Sequence, residues 1–125
     1  MVYNEEKGDN MKHVIHVDNS EFFRKLMKSF LSEKGLDSES FEKGEDAVNA
    51  VAEGRASFVI TGLELADMSG EEFLKRLMTL PGKTPIIAVT SSDEAAKHKR
   101  IEALGVKTII LKTDDWKAKL GAILI

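Results

Sequence analysis

Apolar residues along this chain follow two rhythms. In the first they form short unbroken runs: His13-Val14-Ile15-His16-Val17, Phe58-Val59-Ile60-Thr61, Pro85-Ile86-Ile87-Ala88-Val89-Thr90 and Thr108-Ile109-Ile110-Leu111. Runs rich in β-branched residues suit strands buried on both faces of a parallel sheet. In the second rhythm apolar residues recur every three or four positions, as on a helix with one face against a core. Phe23, Leu26, Met27, Phe30 and Leu31 make the first such stripe, which Gly35 closes. Gly44 to Glu53 carries a second, with Ala47, Val48 and Val51 inward. A third helix opens at Ser69, with Glu72 placed for a capping box, buries Phe73, Leu74, Leu77 and Met78, and stops at Pro81-Gly82. A fourth is predicted from Ser91, with Glu94 completing a second capping box. Its only large apolar residues are Ile101 and Leu104, so it should be loosely held, and Gly105 ends it. Thr113 is placed to cap a last helix with Trp116, Leu120, Ile123 and Leu124 on one side. Leu36 to Phe41 alternates weakly and is predicted as an edge strand.

Five strands alternating with five helices imply right-handed crossovers and an α/β fold: a parallel five-stranded sheet between two helix layers, a three-layer sandwich. Met1 to Asn10 is polar and without period, so residues 1–11 are expected to form a flexible tail and residues 12–125 one domain. The apolar Ile123-Leu124-Ile125 suggests a chain that stops flush with its fold or was cut from a longer one. At 42% hydrophobic and 31% charged the composition is globular, and a net charge of −3 gives no pull toward nucleic acid or an anionic membrane. The absence of cysteine excludes disulfides, thiolate metal sites and cysteine nucleophiles. No run approaches the ~20 apolar residues of a membrane helix, and no signal peptide opens the chain, so the expected location is the cytoplasm.

Ligands on such sheets collect at the carboxyl ends of the strands. There the chain places Asp18-Asn19-Ser20 after the first strand and Gly62 after the third, followed by Met68-Ser69-Gly70. Thr90 ends the fourth strand and Lys112 follows the fifth. Over residues 12 to 124 this set resembles the receiver domain of two-component response regulators (CheY-like), four strand ends agreeing in type and order. The resemblance implies a flavodoxin-like (βα)5 sheet in the order 2-1-3-4-5. It also implies a phosphorylation pocket at Asp18, Asn19, Gly62, Thr90 and Lys112, and that pocket is degenerate. The family's acidic pair is here Asp18-Asn19, and its phosphate-accepting aspartate falls on Gly62. Its loop proline is Ala66, its aromatic switch residue Ile109, and the proline after its lysine Thr113, where the peptide bond is expected trans. Acyl-phosphate formation needs a carboxylate nucleophile, which glycine lacks. Magnesium needs carboxylate anchors, and Asp18 alone remains. An ion pair between Lys112 and Asp18 is expected across the pocket.

Other candidates have plainer readings. Glu64 and Asp67, the nearest spare carboxylates, could in principle replace the missing one, but each is expected to be a solvated loop residue. His13 and His16, three apart on a strand, face opposite ways and cannot share a metal. Lys97-His98-Lys99-Arg100 is a basic cluster, a solvated face or a docking patch. The family's partner surface, made by helix four, strand five and helix five, favours docking by Lys97, Lys99, Arg100, Ile109 and Trp116. The expectation is a pseudo-receiver without enzymatic activity, metal site or cofactor, leaving room only for weak Mg²⁺ binding. Its partners would be other signalling proteins, or an output domain in a longer chain, with neither nucleic acid nor membrane. One alternative is an atypical switchable receiver, phosphorylated or Mg²⁺-bound through Asp18. Another is a flavodoxin-like nucleotide or flavin binder, which the glycine-free, acidic Asp18–Phe23 loop disfavours.

Overall fold

The structure, a computed structural model, describes residues 12–124. Strand β1 (His13–Val17) leads into helix α1 (Glu21–Glu33), followed by β2 (Asp37–Phe41), α2 (Gly44–Ala52) and β3 (Phe58–Thr61). The second half runs α3 (Gly70–Met78), β4 (Ile86–Thr90), α4 (Ala95–Ala103), β5 (Thr108–Leu111) and α5 (Trp116–Leu124). All strand pairs are parallel, in the order β2-β1-β3-β4-β5. This is the flavodoxin-like sheet expected, with the polar β2 at one edge.

The runs that look buried on both faces are so because helices cover both. On one side α1 and α5 bring Phe23, Met27, Phe30, Leu31, Trp116 and Leu120 onto Val14, Ile60 and Val89. On the other, α2 and α3 bring Ala47, Ala50, Phe73 and Leu77 onto Ile15, Val17 and Val59. Helix α4 adds Ile101, packed with Leu74 and Ala88, as its only buried residue. The residues 1–11 expected as a flexible tail, and Ile125, lie outside the described residues.

Several expectations about helices need correction. Met78 is 60% exposed, because α3 ends there and the side chain overhangs the lower rim of the sheet. In α2 the inward positions are Ala47 and Ala50, with Val48 and Val51 only partly covered. Ser91 caps nothing, since α4 starts four residues later at Ala95. The intervening turn is held by Thr90 Oγ1, which accepts from Ser92 N–H (3.0 Å), and by the His98 ring against Ser92 C=O (2.7 Å). Thr113 is likewise displaced as a cap: α5 begins at Trp116, and Asp115 Oδ1 accepts from Ala118 N–H at 3.4 Å. At Ser69 half the capping box forms. Its hydroxyl accepts from Glu72 N–H (3.1 Å), while the Glu72 carboxylate turns to Arg76 (3.2 Å). No cis peptide bond occurs among the described residues, Lys112–Thr113 included.

Candidate functional site

Parallel topology brings every strand's carboxyl end to one rim, and there a cavity of about 100 Å³ collects Asp18, Asn19, Gly62, Thr90 and Lys112. Asp18 is fixed by four contacts. Its N–H donates to Phe41 C=O (3.0 Å) and its C=O accepts from Arg24 Nη1 (2.8 Å). Its Oδ1 accepts from Ser20 N–H (2.9 Å), and its Oδ2 faces Lys112 Nζ in an ion pair at 2.9 Å. The Asp18 side chain is 3% exposed and that of Lys112 22%, so the pair sits largely out of water. Such a pair holds because each charge would be costly alone. The Lys112 ammonium also lies 4.1 Å from the centroid of the Phe23 ring, a cation–π contact. Phe23 itself packs against Trp116 with the rings tilted, 5.0 Å between centroids.

Gly62 is the key absence. Its N–H joins the sheet through Val17 C=O (2.8 Å). A Cβ built on it would lie 2.9 Å from Asp18 Oδ2 and 3.1 Å from Asp18 Cγ. The Asp18 carboxylate therefore occupies the space into which a side chain at position 62 would project. Thr90 is buried at 4% exposure, its hydroxyl engaged by Ser92 N–H, whereas Asn19 is exposed. Beneath the pocket, His16 is buried, and neither ring nitrogen has a hydrogen-bond partner. Burial pushes its pKa from the usual 6.5 to about 4. Asp18 opposes that shift, and Lys112 and Arg24 assist it.

The docking candidates disperse. Trp116, expected at a partner surface, is 8% exposed and belongs to the core, because α5 turns this first-turn residue onto Phe23 and Phe30. Lys97 leans over the pocket mouth, where its ammonium is 4.0 Å from Glu64. Arg100 pairs with Glu71 across to α3 (3.1 Å), Lys99 stays exposed, and Ile109 is partly buried between β4 and α4. Glu64, a spare carboxylate expected to be solvated, is 78% exposed at the pocket mouth, whereas sequence reasoning missed Lys97 as a pocket residue. The available signal was that a first-turn residue of a helix following a strand can lean back over that strand's end. Asp67 is exposed, as expected of a loop residue, but its carboxylate has a role the sequence did not show: it accepts from Gly44 N–H (2.7 Å) and Glu45 N–H (3.1 Å). His13 and His16 do face opposite sides. The His13 ring lies between Asp37 (2.9 Å) and Glu39 (2.7 Å). Among the described residues no three His, Asp or Glu side chains gather as a metal cluster, and no helix is long and apolar enough to cross a membrane.

Comparison with known proteins agrees with this architecture. Residues 14–121 match the family profile of the response regulator receiver domain. An uncharacterized transcriptional regulatory protein, YkoG of Bacillus subtilis, is 31% identical over 88 residues, which are 70% of this chain and 37% of that protein. A protein-glutamate methylesterase/protein-glutamine glutaminase of Haloarcula marismortui is 31% identical over 98 residues, 78% of this chain and 26% of that one. The chain thus spans about a third of the length of these curated relatives. Among solved structures, the chemotaxis response regulator CheY4 of Vibrio cholerae superposes with a TM-score of 0.80 at 24% identity, covering 92% of this chain and 98% of that one. A CheY-like receiver domain protein of Methanospirillum hungatei reaches a TM-score of 0.83 at 19% identity, covering 92% of each.

Proposed function

Since this chain belongs to the response regulator receiver family of two-component signalling, we propose that it is a pseudo-receiver: it keeps the fold, has lost the phosphoryl switch, and acts by docking to other signalling proteins. One observation carries the reading. Where an acceptor side chain would stand at the end of β3 there is Gly62, and the vacated space is filled by Asp18, already paired with Lys112. A phosphoryl group has no carboxylate to join at that position.

The donor set does not suit Mg²⁺ either. Asp18 spends one oxygen on a backbone N–H and the other on an ammonium, and Asn19 supplies no charge. Glu64, the remaining carboxylate at the pocket, is 78% exposed and turned toward Lys97. Magnesium requires octahedral oxygen ligation anchored by one or two free carboxylates. A nucleotide or flavin is disfavoured by size, since the cavity of about 100 Å³ is well below the ~300–1,000 Å³ usual for such ligands. Docking falls to the exposed part of α4, where Lys99 offers positive charge to an acidic partner surface while Arg100 is engaged by Glu71.

Intact mass after incubation with a small phosphodonor and Mg²⁺ tests the reading. The expected result is no added phosphate, together with unmoved amide signals of Asp18, Gly62, Thr90 and Lys112 on titration with beryllofluoride. A single added phosphate that disappears in Asp18→Ala would sink it and establish the switchable alternative.

A further inference from the structure

At the opposite end of the sheet, below the amino ends of β3, β4 and β5, lies a groove of about 610 Å³. Phe58 and Ile87 line it from the sheet, and Met78 and Leu104 from the ends of α3 and α4. Met78 is one of two large apolar side chains exposed among the described residues, so this is an apolar surface that nothing described covers. The charged side chains in its lining, Lys83 and Lys107, are both cations.

The described chain begins beside a residue of this groove. The Lys12 ammonium lies 5.4 Å from the centroid of the Phe58 ring, which lines the groove, and donates to Leu124 C=O at 3.3 Å, so the first described residue reaches the groove's edge through its side chain. The composition of residues 1–11 complements the groove: Met1-Val2-Tyr3 is apolar, and Glu5, Glu6 and Asp9 outnumber Lys7. At roughly 3.3–3.6 Å per extended residue, such a segment reaches across the base of the domain. A tethered segment also acts at millimolar effective concentration, which a separate partner must supply by abundance. A symmetric pairing of two copies through this face would set lysines against lysines.

We propose that residues 1–11 dock in this groove as an intrachain ligand, Val2 and Tyr3 on its apolar floor and Glu5 and Glu6 toward Lys83 and Lys107. Tyr3 is the only tyrosine in the chain, which makes the test direct. In the full chain, nuclear Overhauser contacts should connect the Tyr3 ring with the methyls of Ile87 and Leu104. The Tyr3→Ser variant should shift those methyls by removing the ring current, and the Lys83→Glu/Lys107→Glu variant should weaken the contacts. Absence of the contacts, with methyl shifts unchanged in Tyr3→Ser, would overturn the proposal. So would contacts that prove intermolecular in a mixture of labelled and unlabelled chains, since the occupant would then come from a second copy.

Discussion

At Gly62 the constraint comes from across the pocket, because its φ lies outside the left-handed region while its missing Cβ would meet Asp18. Gly62→Ala should therefore cost about 1–3 kcal/mol of stability in urea unfolding, as overpacking does. The loss should largely vanish when Asp18→Ala is made with it, the coupling expected of two residues in contact. His16 gives a second residue-scale outcome. The unfolded chain takes up its proton near pH 6.5 and the folded one only near pH 4, so the unfolded state binds more protons between those values. Stability then falls as pH drops through that window, by at most about 1.4 kcal/mol per pH unit. His16→Leu should flatten that part of the stability–pH curve and raise stability at pH 5, since it also removes two buried nitrogens without partners.

Helix α2 borrows its start from elsewhere in the chain. Its N-cap residue, Lys43, makes no side-chain cap bond, and Asp67, in the loop after β3, binds the N–H groups of Gly44 and Glu45 instead. Burial raises the Asp67 pKa, but these backbone donors outweigh it and hold the carboxyl below its usual value. Asp67→Ala should lower stability by about 1 kcal/mol, as loss of a cap does. In the native chain the contribution is full above the ordinary aspartate pKa and disappears as pH falls through the lowered one. Thermal unfolding of both chains at neutral and acidic pH checks this. Asp67 also marks where sequence reading stops, because its partners lie 23 and 22 residues away and the local sequence shows only a polar loop. Strands were legible because burial on both faces writes an unbroken apolar run, as in Phe58–Thr61. Helix starts were less so. Ser91 and Thr113 carry capping chemistry, but the chain needs several more residues to climb from the sheet to the helix layer. Five pocket residues, Asp18, Asn19, Gly62, Thr90 and Lys112, could be read together because they stand at or just beyond the carboxyl ends of four strands. Lys97 could not, since it reaches the pocket from a helix.

On the scale of the whole molecule, the parallel sheet separates two features by its full length. The paired carboxylate and ammonium lie at the carboxyl ends of the strands, and the open apolar groove lies at their amino ends. The two helix layers between them are packed cores, so each end can be altered without rebuilding the other. The edges of the sheet differ as well. Strand β2 shows charge in Asp37 and Glu39, the usual protection against strand-to-strand aggregation, whereas β5 is Thr-Ile-Ile-Leu. Finally, the Lys112 ammonium rests on Phe23, and Phe23 rests on Trp116, the only indole in the chain. Displacing that ammonium from Asp18 would also change the surroundings of the ring against which the indole is packed. Tryptophan emission is therefore the readout expected to change when Lys112 is displaced, as in Asp18→Ala, with no added label.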